Sequence, residues 1–243
     1  MTPRQRLAAL VVEHGLDAAA APSALTALLR ALADKEAPTS IHRAGQSVDV
    51  HVADSLAALG VPGLREAERV ADLGAGAGLP GLPLAVAIPN AHFALIEGNA
   101  RKCIFIRRTA GEMALTNATV VQSRAEEWRE GLGTHQFVCA RAVAALPVLL
   151  EYAAPLLGLG GMLIAWKGEV PESEATAATA AAALLNCEPA GVLPVTPFPG
   201  SVRRTLHLFR KLAETPLGYP RRPGMASKRP LTATNLQQHT RSS

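Results

Sequence analysis

One segment constrains the fold of this chain more than any other: an apolar run leads into a glycine-rich turn in RVADLGAGAGLPG, residues 69–81. The run at 69–73 predicts a buried strand, and the apolar residues after the turn predict a helix. Gly74, Gly76 and Gly78 can adopt positive φ and let a ligand approach the backbone closely. The segment therefore predicts a strand, a ligand-binding turn and a helix of an α/β sheet.

The rest of the chain supports this architecture, because short β-branched runs alternate with Ala/Leu-rich helical runs. The predicted strands are 69–73, 92–97, 119–122, 136–140, 162–166, 192–196 and 204–209. The predicted helices between them are 82–88, 101–115, 125–130, 146–157 and 172–185. A Pro/Gly turn instead of a helix joins the last two strands, so they should be antiparallel. We expect a mostly parallel seven-stranded sheet with an antiparallel last strand and an N-terminal helical extension.

Charge is distributed unevenly along the 243 residues, although the net charge is only +4. Residues 1–201 hold 15 Lys and Arg against 19 Asp and Glu, whereas residues 202–243 hold 9 against 1. This distribution and the element pattern predict three parts: a helical extension with a substrate-side loop at 1–60, an α/β core at 61–215, and a flexible basic tail at 216–243.

The composition gives little support to a secreted, membrane or metal-binding protein. The apolar run at 7–12 is short for a signal peptide, and Glu13 ends it. The uncharged stretch at 73–96 is rich in Gly and Pro, unlike a membrane helix. The cysteines have no paired spacing and are expected to be buried in a reducing compartment: Cys103, Cys139 and Cys187. We expect a cytoplasmic protein without a membrane partner or a metal.

The spacing of the glycines discriminates between two cofactors that contain adenosine. In the dinucleotide fingerprint the third glycine follows the second by three places, but here it follows by two. Asp72 lies two residues before the first glycine, and Pro80 lacks an amide that pyrophosphate could use. Glu97, at the end of the next strand, suits ribose hydroxyls in either cofactor. These features favour S-adenosylmethionine, a sulfonium cation, over a nicotinamide cofactor and its oxidoreductase chemistry.

Several motifs occur in one order along the chain: PTSI (38–41), HVADS (51–55), DLGAGAGLPGLPLA (72–85), RKCIFI (101–106), LTNATVVQSRAEE (115–127), FVCARAVAAL (137–146), AWKG (165–168) and YPRRPGMASKRPL (219–231). Together they resemble the ribosomal small-subunit methyltransferase G family, also called glucose-inhibited division protein B. The resemblance implies a Rossmann-like class I methyltransferase that uses S-adenosylmethionine to methylate N7 of one guanine in small-subunit (16S) ribosomal RNA. The first 37 residues match only as a helical region.

The resemblance also implies roles for particular residues. Gly74 and Leu79 would line the cofactor, with Gly76 and Gly78 supplying backbone in the same turn. Ala125 and Glu126 would flank the adenine, and Arg141 would lie next to the reaction centre. Two departures concern the cofactor side: Ala75 and Ala77 replace the Ser, Thr or Pro common in the turn, and Glu97 replaces an Asp.

Methylation of guanine N7 needs no general base, because its lone pair is available and no proton must leave first. We therefore expect Arg141 to position the substrate or the cofactor carboxylate. We expect a guanine pocket formed with His51, Asp54 and Ser55, although a structural role for His51 is an equal possibility.

The basic tail has two interpretations. Arg221 and Arg222 would follow the phosphates of RNA, or the tail would only increase solubility. A non-catalytic RNA-binding protein of the same fold and a methyltransferase with another acceptor remain alternatives. We expect the protein to be a monomer.

Overall fold

The structure of the chain is a computed structural model that describes residues 1–232. The chain forms two compact units. The first unit contains residues 1–122 and 196–202, and the second contains residues 123–195 and the described residues from 203 onwards. The boundaries of these units differ from those of the predicted extension, core and tail. That three-part division stays a prediction.

The first unit begins with two helices, α1 (Pro3–Glu13) and α2 (Ala21–Ala33). Thr2 caps α1 in a capping box with Gln5, and Pro3 occupies the first turn, as suits a helix start. The apolar face of α2 is buried, with Leu25 and Leu28 among its buried side chains. A run of short helical pieces follows: α3 (Ala44–Ser47), a π-helical turn (Val48–Ala53), α4 (Asp54–Leu56) and a 3₁₀ turn (Ala57–Gly60).

The sheet of the first unit has three parallel strands in the order β3-β2-β1. Their bounds are β1 (Arg69–Leu73), β2 (His92–Glu97) and β3 (Ala118–Gln122). Helix α5 (Gly81–Ala87) follows β1 and helix α6 (Ala100–Glu112) follows β2. Leu73 is paired with Ile96, so the glycine turn and Glu97 both leave the carboxyl edge of this sheet, where ligands bind in open α/β folds.

The second unit has four strands in the order β4-β5-β7-β6. Strands β4 and β5 are parallel, and β7 is antiparallel to both β5 and β6. The element bounds are β4 (His135–Arg141), α7 (Leu146–Ala153), β5 (Leu157–Lys167), α8 (Glu172–Leu184), β6 (Cys187–Val195), β7 (Arg204–Lys211) and α9 (Met225–Lys228). The prolines of β6 lie in an edge strand, where a missing amide is tolerated.

These strands confirm the predicted fold class, a mostly parallel seven-stranded sheet that ends in antiparallel strands. The helix predicted at 125–130 is wrong. Two 3₁₀ turns, Ala125–Glu127 and Arg129–Gly131, take its place. Trp128 between them is extended, and its ring centroid lies 5.3 Å from that of His135. Packing of this ring therefore overrides the local helical tendency.

Two further expectations concern buried and apolar segments. All three cysteines are free and buried, as predicted. Burial raises the pKa of the Cys187 thiol to about 11. Within residues 1–232, no helix is long and apolar enough to cross a membrane.

Residues 216–232 have defined local structure, and the flexibility expected of the tail stays a prediction. They contain α9, and Ala226 and Leu231 are buried. The remaining part of the predicted tail, residues 233–243, lies outside the described residues.

Candidate functional site

The glycine turn of the first unit has the backbone conformation that its sequence predicts. Gly74, Gly76 and Gly78 all have positive φ, at 65°, 58° and 83°, a region that L side chains rarely adopt. At Gly78 a Cβ would also lie 2.3 Å from Cδ1 of Leu82. At Gly76 the nearest atom to a Cβ would be a carbonyl oxygen at 3.7 Å. The backbone at Gly76 is therefore open on the side where a ligand could approach.

Asp72 fixes the junction between this turn and α5. Its side chain is completely buried, and its Oδ2 accepts a hydrogen bond from the Gly81 amide at 2.8 Å. A Cβ on Gly81 would lie 2.7 Å from that same oxygen. The carboxylate that suggested a cationic ligand thus holds the start of α5, where the helix dipole favours negative charge.

Glu97 connects the end of β2 to the glycine turn. Its Oε2 accepts from the Gly76 amide at 3.1 Å, and its Oε1 accepts from the Asn99 amide at 2.8 Å. The Ala75 amide donates to the Ile96 carbonyl at 3.0 Å. Each carboxylate oxygen has a second lone pair. Glu97 can therefore hold the turn and still accept hydrogen bonds from the hydroxyls of a ribose.

Leu79 has its amide bonded to the Ala75 carbonyl at 2.9 Å, and its side chain is buried. The first unit thus brings together five predicted cofactor residues in one hydrogen-bonded turn: Gly74, Gly76, Gly78, Leu79 and Glu97.

The predicted guanine pocket residues are buried in the first unit. His51 Nε2 lies 3.1 Å from Thr39 Oγ1 and 3.3 Å from the Ile41 carbonyl oxygen. Ser55 Oγ donates to the His51 carbonyl at 2.5 Å, and Asp54 is 1% exposed. The His51 ring therefore supports the segment 39–41, and a direct contact of these three residues with guanine stays a prediction.

Ala125 and Glu126 lie in the 3₁₀ turn of the second unit, and both are half-buried. Oε1 of Glu126 accepts a hydrogen bond from the Gly224 amide at 3.0 Å. The Glu126 carboxylate thus has a partner in the C-terminal part of the chain, which the sequence did not indicate.

Arg141 is the last residue of β4, opposite Trp166 of β5, and is half-buried. Ala142 follows with a φ of 57°, so the chain turns sharply after Arg141. The position at a carboxyl end of a parallel strand agrees with the predicted role next to a reaction centre, and that role stays a prediction.

Lys167 and Glu174 support the loop that follows Arg141, and the sequence assigned neither a role. Lys167 Nζ lies 2.7 Å from Glu174 Oε1 and 3.3 Å from the Ala144 carbonyl oxygen. The Leu146 amide donates to Glu174 at 2.9 Å. Burial opposes ionisation of Glu174, but the hydrogen bonds from Lys167 and Leu146 outweigh it and lower the pKa. The lysine of the AWKG motif was the available signal.

The two arginines predicted to bind RNA have different surroundings. Arg221 donates from Nε and Nη2 to the two carboxylate oxygens of Glu151, at 2.8 and 2.5 Å. Its guanidinium is paired with Glu151, and the role of Arg221 toward RNA phosphates stays a prediction. Arg222 is exposed, and its role in RNA binding also stays a prediction.

Solved structures of similar fold include a predicted O-methyltransferase from Agrobacterium tumefaciens and a fibrillarin pre-rRNA processing protein from Methanococcus jannaschii. The first is 23% identical with a TM-score of 0.51 over 67% of this chain and 84% of that one. The second is 15% identical with a TM-score of 0.52 over 67% and 74%. At these identities the similarity is one of fold.

Sequence comparison is more specific. The family model of rRNA small subunit methyltransferase G matches residues 22–196. A relative from Rubrobacter xylanophilus, named Ribosomal RNA small subunit methyltransferase G, is 44% identical over 187 residues, 74% of this chain and 72% of its own. A Deinococcus radiodurans relative of the same name is 40% identical over 211 residues, 85% and 83% of the two chains. With its glycine turn and Glu97 in place, the chain belongs to the rRNA small subunit methyltransferase G family.

Proposed function

We propose that this protein transfers the methyl group of S-adenosylmethionine to N7 of a guanine in small-subunit (16S) ribosomal RNA. Membership of the methyltransferase G family supports the reaction class and the RNA substrate. The observation that carries the cofactor assignment is the pair of hydrogen bonds from Gly76 and Asn99 to Glu97. They present a carboxylate and an open glycine backbone at one edge of a parallel sheet.

The residues of the first unit suit an adenosine ligand. Positive φ at residues 74 and 76 favours glycine, so no side chain obstructs the turn at these positions. Glu97 retains acceptor capacity for ribose hydroxyls. When bound, S-adenosylmethionine supplies an electrophilic methyl group on a sulfonium. The glycine spacing and the family match both disfavour the nicotinamide oxidoreductase, and the complete turn disfavours a non-catalytic RNA-binding protein.

The residues assigned to adenine and to positioning of the base are Ala125, Glu126 and Arg141. The family pattern assigns Ala125 and Glu126 to adenine, and a small side chain at 125 leaves room for a flat ring. Arg141 would orient the guanine or the cofactor carboxylate by charge-assisted hydrogen bonds. No residue needs to remove a proton, so catalysis rests on alignment of N7 for in-line displacement and on fixed charge.

The guanine pocket would be formed with His51, Asp54 and Ser55, which are all buried in the first unit. His51 would also hold the segment 39–41, since its ring contacts Thr39 and Ile41.

RNA affinity would come from exposed cations of the C-terminal part, Arg222 and Lys228 among them. We also propose that the protein acts in the cytoplasm, where ribosomal RNA is its substrate, and as a monomer, since one chain carries every residue assigned above.

The decisive experiment compares ribosomal RNA from cells with and without the gene for this protein. Borohydride reduction and aniline treatment cleave RNA at 7-methylguanine, so a cleavage band should disappear when the gene is deleted. Restoring the gene should restore the band. An identical cleavage pattern in both strains would contradict the proposed function.

A further inference from the structure

A buried carboxylate on α7 anchors the chain near residue 221. The side chain of Glu151 is 1% exposed, and a buried charge is costly unless it is paired and hydrogen-bonded. Arg221 supplies three contacts: its backbone amide at 3.2 Å and Nε at 2.8 Å to Oε1, and Nη2 at 2.5 Å to Oε2. Such a bidentate contact fixes the orientation of the guanidinium as well as its distance from the carboxylate.

The same arginine folds the following residues onto the second unit. Its Nη2 also donates to the Arg229 carbonyl at 2.8 Å, which closes a loop between residues eight positions apart. Within this loop Ser227 Oγ lies 3.1 Å from the Tyr152 hydroxyl of α7. Ala226 and Leu231 are buried. Residues 219–231 thus have polar and apolar anchors, which is more than a solubilising tail requires.

This segment also holds the 3₁₀ turn that carries Ala125 and Glu126. The Gly224 amide donates to Glu126 Oε1 at 3.0 Å, across 98 positions of sequence. Gly224 has a φ of 79°, so a glycine is needed to present this amide. The turn itself is three residues long and has no side-chain cap. Its position therefore depends strongly on contacts from outside the turn.

We propose that residues 219–231 form a clamp that fixes the Ala125–Glu127 turn in its cofactor-binding conformation. Arg221 and Glu151 are then positioning residues, which act on the cofactor through Gly224 and Glu126. The proposal rests on the proposed function, which assigns this turn to adenine. It gives the basic C-terminal segment a task in cofactor binding that is separate from RNA binding.

The test measures the affinity for S-adenosylhomocysteine by calorimetry in the absence of RNA. Arg221→Ala should raise the Kd about tenfold, because the turn must then be ordered at the expense of binding energy. Arg210→Ala is the matched control: it removes the same charge from an exposed residue of the second unit outside residues 219–231, and its Kd should stay within about twofold of the wild-type value. The kcat at saturating cofactor should change much less than the KM for S-adenosylmethionine.

A second variant removes the risk that Arg221→Ala unfolds by leaving Glu151 unpaired. The double variant Arg221→Leu with Glu151→Leu has no buried charge, and such replacements usually preserve folding. It should show the same loss of affinity. A folded single or double variant with the wild-type Kd would overturn the clamp.

A measurement on the unmodified protein completes the test. Because coupling between sites is reciprocal, S-adenosylhomocysteine should slow amide hydrogen exchange in residues 219–231, at Gly224 in particular. Unchanged exchange in a protein that binds the ligand would contradict the clamp. A wild-type protein with no affinity for the ligand would instead contradict the proposed function.

Discussion

Lys167 and Glu174 form a partly buried ion pair, with Nζ and Oε1 2.7 Å apart, that supports the loop after Arg141. The lysine reaches the Ala144 carbonyl oxygen and the glutamate accepts from the Leu146 amide. The pair thus holds the far end of the short loop that begins at the proposed positioning arginine. Neither residue needs to touch substrate in order to affect the reaction.

Lys167→Met should lower kcat for RNA methylation roughly tenfold, since a small displacement of a positioning group has a large effect on rate. The matched control is Glu169→Ala, which removes another ion pair of the second unit, with Arg203. Both partners of that pair are more than 70% exposed, so the rate should not change. Equal rate losses in the two variants would show that the loop does not depend on Lys167.

Arg141→Ala should lower methylation by about a hundredfold or more, on the scale of losing one preorganised electrostatic contact. The thermal unfolding midpoint should fall by only a few degrees, because the residue is half-buried at a strand end. Single-turnover kinetics and calorimetric unfolding measure the two effects. Parallel losses of rate and stability would assign Arg141 a structural role.

Substitutions at Glu97 test whether this side chain must accept hydrogen bonds or only needs to be polar. Glu97→Gln replaces one acceptor oxygen by an NH₂ group that faces either the Gly76 or the Asn99 amide, so two donors oppose each other. The Kd for S-adenosylhomocysteine should rise about tenfold or more, consistent with an unsatisfied buried donor. Glu97→Asp, which keeps the carboxylate, should retain more affinity. Similar affinities for Gln and wild-type protein would exclude the ribose role.

The cysteines should be inert in the folded protein. All three are free and buried, and burial raises the pKa of Cys187 to about 11. A thiol of raised pKa holds very little thiolate at pH 8, and the thiolate is the reactive form. Titration with a disulfide reagent should therefore detect three thiols in guanidinium and almost none under native conditions. Rapid labelling of the native protein would contradict this burial.

The parts of the fold that sequence could predict are those set by local pattern. Strands β1 and β2 occupy the predicted residues, because apolar runs end at Gly74 and Gly98. The helix predicted at 125–130 failed because Trp128 packs against His135 instead of continuing a helix. A ring contact of this kind depends on tertiary packing, which overrides propensity.

The candidate site also has parts that the sequence could predict and parts that depend on tertiary contacts. The glycine turn and Glu97 could be predicted, because they lie in segments that are close together in the sequence and their residue types indicate their chemistry. The pair of Glu151 with Arg221 joins residues 70 positions apart, and the bond of Glu126 to Gly224 joins residues 98 apart. The sequence does not show which partner a charged residue has, so the pairing of Arg221 with the buried Glu151 could not be predicted.

RNA binding by the C-terminal part should depend on its exposed cations. The double variant Arg222→Ala with Lys228→Ala should lower RNA affinity and reduce the slope of log K against log salt by roughly 1 to 2, about one per lost phosphate contact. Filter binding across a salt series measures both. Arg30→Ala with Lys35→Ala is the charge-matched control, two cations of the first unit outside the C-terminal segment, and its slope should change less. An unchanged slope in the C-terminal variant would leave solubility as the role of these cations.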